Sequence, residues 1–263
     1  SLEVPAPTHI EIEATTRCNA TCGTCTRTHL SREDMKNDLH PDTLKKVLIA
    51  LPDLTSLRLV GLGETFLNPN IENILQQLKA RSIRVWIITN GSLLQDVHVR
   101  NLIHDYVDDV AISIDSTDPE EFSRLRPMGN IGLADVAEGM KLLIKERNDG
   151  RSNTTIGIST TVTHENYHDL PSIGSMSIDM GVDYVAIAFV ENWMIQGDPG
   201  YSAISDNVNE SMKYLPQIRQ AIRKQQLRLT LHGIAVGCKI PKRRIGKCYW
   251  PYRSLHITAE GLA

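Results

Sequence analysis

Short apolar runs with a period of two alternate along this chain with longer stretches in which apolar residues recur every three or four positions. His9–Glu13, Ser56–Val60, Ile83–Ile88, Val110–Ile114, Thr155–Val162 and Tyr184–Val190 read as strands. Pro41–Leu51, Ile71–Arg81, Leu93–His104, Leu133–Arg147 and Leu170–Met180 read as amphipathic helices. Strand-then-helix order predicts a parallel sheet with right-handed crossovers. Six or so such units predict an α/β fold, a partial (β/α)6 TIM-like barrel. Beyond Asp206 a helix is expected to about Lys224, then a strand over Leu227–Leu231, a loop-like tail and a short strand at Leu255–Thr258. These boundaries divide the chain into a barrel over 8–232 and a short C-terminal extension over 233–263.

Each strand runs into a polar, turn-rich segment. The first leads into a cysteine loop, the second into Gly61-Leu62-Gly63-Glu64, the third into Thr89-Asn90-Gly91 and the fourth into Ser113-Ile114-Asp115-Ser116. The fifth runs into Thr163, His164, Glu165 and Asn166, and the sixth into Glu191-Asn192-Trp193. In a parallel barrel all these ends share one rim, where ligands bind. Each motif alone has an ordinary explanation: Gly-rich and Thr-Asn-Gly segments are turn signals, and Ser-Ile-Asp-Ser is a helix start. Their order behind the cysteines gives them weight.

Composition adds exclusions. The 263 residues are 41% hydrophobic and 22% charged, with a net charge of −3, which is ordinary globular composition and speaks against general nucleic-acid binding. No apolar run reaches the ~20 residues that cross a membrane. The opening Ser1-Leu2-Glu3 has no basic-then-apolar signal, and its lack of Met leads us to expect a trimmed start. Five cysteines, three of them clustered, fit a reducing cytoplasm and ligation of a metal or cluster.

The cluster reads Cys18-x3-Cys22-x2-Cys25. Three thiolates on one loop can hold three irons of a cubane 4Fe-4S cluster, leaving the fourth iron without a protein ligand. With His29 the same cysteines could make a Cys3His zinc site, although structural zinc usually draws its ligands from two separated pairs. Three free thiols on an exposed loop would oxidise.

In spacing, order and position after the first strand, this loop resembles that of the radical S-adenosylmethionine (radical SAM) enzymes. Gly61, Gly63 and Glu64 are similar to that family's glycine–glutamate motif, which meets the methionine amino group. Thr89 and Asn90 resemble the third-strand end near the cofactor, and Ser113 and Asp115 the fourth-strand residues near its ribose and carboxylate. Arg126 is similar to the arginine that pairs with that carboxylate, with Arg124 as the competing candidate. Two positions depart from the pattern: Thr24 stands where an aromatic commonly packs near the adenine, and Thr65 where a proline is common. The resemblance implies a 4Fe-4S cluster and S-adenosylmethionine as cofactors. The reduced cluster cleaves the sulfonium bond, and the resulting 5′-deoxyadenosyl radical takes a hydrogen atom from a substrate. An electron donor such as flavodoxin or ferredoxin is implied as a partner.

In the tail, Cys248, Trp250-Pro251-Tyr252 and Gly261 resemble the entry to a SPASM or twitch extension, which carries auxiliary iron–sulfur clusters. There a further cysteine follows the glycine about five positions on; that place lies beyond Ala263, so the extension is expected to be incomplete here. Cys238 is either a further ligand or an ordinary thiol. The basic run Lys239, Lys242, Arg243, Arg244 and Lys247 reads as a solvated loop. His164 and His232, both placed at strand ends, are expected to reach a substrate. The mixed acids, amides and aromatics of 191–201 point to a peptide or a small polar metabolite, with oxidation, cross-linking or epimerisation as the outcome. The alternative is a non-catalytic metal-binding or scaffold protein with a structural zinc or iron–sulfur site.

Overall fold

The computed structural model describes residues 6–192, 201–239 and 254–257. All six expected strands form: β1 (His9–Ile12), β2 (Ser56–Leu59), β3 (Arg84–Thr89), β4 (Asp109–Ser113), β5 (Thr155–Val162) and β6 (Tyr184–Phe189). Two more, β7 (Ala235–Lys239) and β8 (Ser254–Ile257, where a short strand is expected at Leu255–Thr258), complete one parallel sheet in the order β7-β6-β5-β4-β3-β2-β1-β8. The helices are α1 (Pro41–Ala50), α2 (Ile71–Ala80), α3 (Val97–Tyr106), α4 (Pro119–Leu125), α5 (Leu133–Asn148), α6 (Leu170–Met180), α7 (Tyr201–Lys213) and α8 (Leu215–Leu231). The fold is thus the expected partial α/β barrel.

The period-two pattern explains the layering. Ile10 and Ile12 of β1, Leu57 and Leu59 of β2, Val85 and Ile87 of β3, and Val110 and Ile112 of β4 are all buried. In register they form rows, Ile10 beside Leu57 and Leu57 beside Val85, that pack beneath the buried stripe Ile74, Leu75 and Leu78 of α2 and its neighbours.

The opposite face is concave and polar. Arg58 of β2 pairs with Glu11 at 2.8 Å and lies 3.7 Å over the Trp86 ring of β3. Trp86 Nε1 donates to the Tyr184 hydroxyl of β6 at 3.2 Å, and that hydroxyl donates to Asp109 of β4 at 2.5 Å. β3 and β6 are three strand spacings apart, about 14 Å in a flat sheet. A bond between their side chains therefore records the curl. Burial and the Asp109 carboxylate both push the Tyr184 phenol up. The Tyr184 ring crosses Gly157 of β5, where an added Cβ would lie 2.4 Å from Cζ. Gly157→Ala is expected to lift the ring, break both hydroxyl bonds and cost about 2 kcal/mol, read as a lower urea midpoint.

The structure corrects the expected strand at Leu227–Leu231, which is the C-terminal end of α8. Alternating Leu227, Leu229 and Leu231 mimic a strand, but only Leu229 is buried, in the helical series Ile218, Ile222, Gln225 and Leu229. Gly233, at φ +77°, ends the helix: its N–H bonds the Thr230 carbonyl and that of Ile234 the Leu229 carbonyl. The strand comes later and takes in Gly237 and Cys238, in place of the expected loop. His232 consequently caps α8 at the start of β7, on the side of the sheet away from the ligand rim. The third helix starts at Val97 rather than Leu93, because the Asp96 carboxylate accepts the His98 N–H at 2.8 Å and caps it there. No helix among the described residues is long and apolar enough to cross a membrane.

Candidate functional site

The cysteine loop leaves β1 at the rim expected to bind ligands. Cys25 N–H bonds the Cys22 carbonyl at 3.1 Å, and a short 3-10 turn over Thr26–His29 comes next. Several contacts fix the loop. Thr21 N–H reaches the Pro127 carbonyl at 3.0 Å, Arg17 pairs with Asp38 at 2.8 Å, and the buried Arg27 donates Nε to the Thr16 carbonyl. The half-buried Thr24 lies between the second and third cysteines.

The glycine–glutamate segment is pressed against the base of this loop. A Cβ on Gly63 would lie 2.1 Å from the Thr15 carbonyl oxygen and 2.5 Å from that of Arg17, so only glycine fits. Glu64 N–H bonds the Arg17 carbonyl at 2.7 Å. Gly61 sits against the side chain of the buried Glu13, whose carboxylate accepts the Leu62 N–H at 2.8 Å. Glu64 is itself buried, and its carboxylate accepts from the Thr89 hydroxyl (2.8 Å), Asn90 N–H (2.7 Å) and Phe66 N–H (3.4 Å). Burial raises its pKa against these donors. Glu64 thus ties the ends of β2 and β3 together beside the cysteines.

At the end of β4, Ser113 is buried opposite Ser159 of β5. Asp115 accepts from Arg126 Nε at 2.6 Å and from Thr161 N–H at 2.7 Å. Arg126 lies close enough to Cys22 and Cys25 for mutual electrostatic stabilisation. Arg124 points away, paired with Glu121 and Glu165 at 2.6 and 2.9 Å. The fold therefore brings Arg126, not Arg124, to the cysteines.

Burial pushes all three thiols up, Cys22 to about 11, where Arg126 opposes the rise and Cys25 and Cys18 add to it. Three thiolates this close in a half-buried loop are unstable unless a cationic centre neutralises them, and this donor set suits an iron–sulfur cluster. Among the described residues no three His, Cys, Asp or Glu side chains converge tightly enough for a single metal ion. Thiolates serving three separate irons stand further apart than three on one ion. In metal-free protein, Cys22 is expected to react with iodoacetamide at pH 8 on the order of a hundredfold more slowly than an ordinary cysteine. The rate should climb about tenfold per pH unit until pH nears 11, because thiolate accumulates only as pH approaches the raised pKa. Peptide mapping of the alkylated site reads it.

Other expected residues are placed elsewhere. His164 Nδ1 meets the Ser211 hydroxyl of α7 at 3.1 Å and the ring stacks on Tyr214 at 6.0 Å, so it docks α7 on the rim. Cys238, on edge strand β7, accepts from Gln226 of α8 at 3.2 Å, on the helix side of the sheet. Lys239 pairs with Glu191 at 2.9 Å. Cys248, Trp193, Gly261 and residues 242–247 lie outside the described residues. Sequence reasoning missed Glu13, Asn19, Arg27, Ser92 and Thr161. Only Glu13, a charge ending an apolar strand, carried a local signal.

A curled parallel half-barrel whose first strand feeds three cysteines at the ligand rim defines a cluster-binding α/β scaffold. The chain belongs to the Radical SAM superfamily, whose sequence model matches residues 12–174. That family implies a 4Fe-4S cluster and S-adenosylmethionine. The chain is 30% identical over 184 residues to the tungsten-containing aldehyde ferredoxin oxidoreductase cofactor-modifying protein of Pyrococcus furiosus, covering 68% of this chain and 51% of that protein. It is 27% identical over 199 residues to the antilisterial bacteriocin subtilosin biosynthesis protein AlbA of Bacillus subtilis, covering 74% and 41%. The chain thus spans about half the length of these relatives, or less. The fold matches SuiB of Streptococcus suis, solved with its precursor peptide SuiA, at a TM-score of 0.75 and 17% identity, over 97% of this chain and 58% of that one. SuiB solved with S-adenosylmethionine gives the same TM-score.

Proposed function

We propose that this chain is a radical SAM modifying enzyme. Cys18, Cys22 and Cys25 hold a 4Fe-4S cluster. Gly61, Gly63, Glu64, Thr24, Thr89, Asn90, Ser113, Asp115 and Arg126 form the S-adenosylmethionine site. The observation that carries the reading is the packing of Gly63 on the backbone of Thr15 and Arg17 at the base of the cysteine loop, with Arg126 close to Cys22 and Cys25. When bound and reduced, the cluster supplies the electron that cleaves S-adenosylmethionine and so starts hydrogen abstraction.

The chain's own residues bind and orient. Gly61 and Gly63 leave room for Glu13 and for the Thr15 and Arg17 carbonyls, which seats this segment against the base of the cysteine loop. Asp115 holds Arg126, whose remaining N–H groups are available to a carboxylate. Glu64 fixes the β3 end without spending its charge on the ligand. The substrate proposed is a peptide or small polar metabolite. A peptide is supported by two proteins this chain is similar to, one acting in bacteriocin biosynthesis and one solved with a precursor peptide. A flavodoxin or ferredoxin as electron donor, and an auxiliary cluster drawing on Cys248 with or without Cys238, belong to the same proposal.

The test is anaerobic reconstitution with iron and sulfide, dithionite reduction and assay for 5′-deoxyadenosine. About four irons per chain with matching sulfide and product above blank are expected; iron well above four would indicate a further cluster. Zinc without sulfide, or loaded protein that forms no product, would sink the reading. Arg126→Ala is expected to weaken S-adenosylmethionine binding by about 10–100-fold in equilibrium dialysis, and Arg124→Ala to leave it within about twofold.

A further inference from the structure

Cys18 differs from the other two cysteines in receiving a side-chain amide. Asn90 Nδ2 lies 3.8 Å from Cys18 Sγ, long for an oxygen acceptor but within reach of sulfur, and 2.8 Å from Asn19 Oδ1. Among the described residues Cys25 receives only a backbone donor, from Arg27, and Cys22 none. Cys18 also accepts Ala20 N–H at 3.4 Å.

The amide cannot turn over. Asn90 Oδ1 accepts the Ser92 N–H at 2.9 Å, so Nδ2 must face Asn19 and the sulfur. Asn19 in turn donates to the Ser92 hydroxyl at 2.9 Å. The Asn90 backbone is held from below by Glu64 Oε2 at 2.7 Å. A flipped amide would oppose N–H to N–H at Ser92 and oxygen to oxygen at Asn19. The donor aimed at Cys18 is therefore built in by three partners, Asn19, Glu64 and Ser92, one from each of three strand ends.

Resting on the cluster reading above, we propose that Asn90 is a positioning residue that tunes the cluster through Cys18. Its amide N–H bonds the thiolate sulfur and makes the cluster easier to reduce. A hydrogen bond to a ligating sulfur draws electron density from it. It also stabilises the extra negative charge of the reduced state more than the charge of the oxidised state, which moves the potential upward. This couples the glycine–glutamate segment to the redox poise of the site, because Glu64 sets where Asn90 sits.

The experiment is a redox titration of reconstituted protein without substrate, with the reduced cluster read by electron paramagnetic resonance. Asn90→Ala is expected to lower the reduced-to-oxidised ratio at fixed potential about threefold, a negative shift of about 28 mV at ~59 mV per tenfold change for one electron. Asn90→Asp should shift further in the same direction, since it sets a carboxylate against the sulfur. An unchanged or more positive midpoint in a loaded Asn90→Ala protein would overturn the proposal. Wild-type protein carrying 15N-asparagine supplies a second readout: a 15N coupling to the reduced cluster that Asn90→Ala removes. No such coupling in loaded wild-type protein also overturns it, even where a variant takes up no cluster. Wild-type protein that takes up no iron and sulfide would fail the cluster reading itself, which separates the two.

Discussion

Alanine at Cys18, Cys22 and Cys25 together is expected to abolish iron–sulfide uptake and to reduce 5′-deoxyadenosine formation to the blank, while the protein still folds. The loop's position does not depend on its sulfurs. Its base is fixed by Arg17–Asp38, by Arg27 on the Thr16 carbonyl and by Thr21 on the Pro127 carbonyl. The thiols are only half-buried, so truncating them opens little cavity and costs on the order of 1 kcal/mol or less each. Loss of a single ligand already removes one iron's anchor; loss of all three leaves no thiolate in the loop. Metal analysis, circular dichroism and product assay on one preparation check the prediction. Retained activity in the triple variant would show that the chemistry does not need the three thiols.

Gly63→Ala should be nearly as damaging, though it touches no cysteine. The added methyl would meet two backbone carbonyl oxygens, at 2.1 and 2.5 Å, and neither can rotate aside as a flexible side chain would. Either the β2 end or the cysteine loop has to move. Movement breaks the 2.7 Å bond from Glu64 N–H to Arg17 and drags the Glu64 carboxylate off Thr89 and Asn90. Buried donors would lose their acceptor. We expect a loss of about 3 kcal/mol or more in urea unfolding, at the upper end for overpacking, together with loss of S-adenosylmethionine binding. Gly23→Ala is the comparison: a Cβ there meets nothing within 4 Å, and it should leave stability within about 0.5 kcal/mol. Wild-type stability and binding in Gly63→Ala would show that the two segments are not packed as described.

Most of the barrel was legible because its signals are local. Strand runs such as Val110–Ile114 carry their period within five or six residues, and α1 and α4 each announce themselves with a proline in the first turn. The misreading at Leu227–Leu231 arose where two periods overlap: every second residue is leucine, yet burial tracks Ile218, Ile222, Gln225 and Leu229. Local sequence could not say which leucines would face α6, because that depends on where α8 lies against the sheet. The site was legible in part for the same reason. Cys18, Cys22 and Cys25 lie within eight residues and carry their own geometry. Arg124 and Arg126 are indistinguishable by residue type, and only the packing of α4 turns one to Glu121 and Glu165 and the other to Asp115 and the thiols.

The sequence by itself determined the strand-and-helix alternation, the three-thiol loop and the shared rim, since each arises from residue type at short spacing. Only the tertiary structure decided that Glu64 clamps the β3 end, that Asn90 aims an amide at Cys18, and that Arg126 rather than Arg124 lies beside the thiols. Those contacts join residues from eleven to seventy-two positions apart. Their geometry is set by the curl of the sheet and by the exclusion of any side chain at Gly63. No stretch of chain short enough to read as a pattern contains both partners and the packing that brings them together.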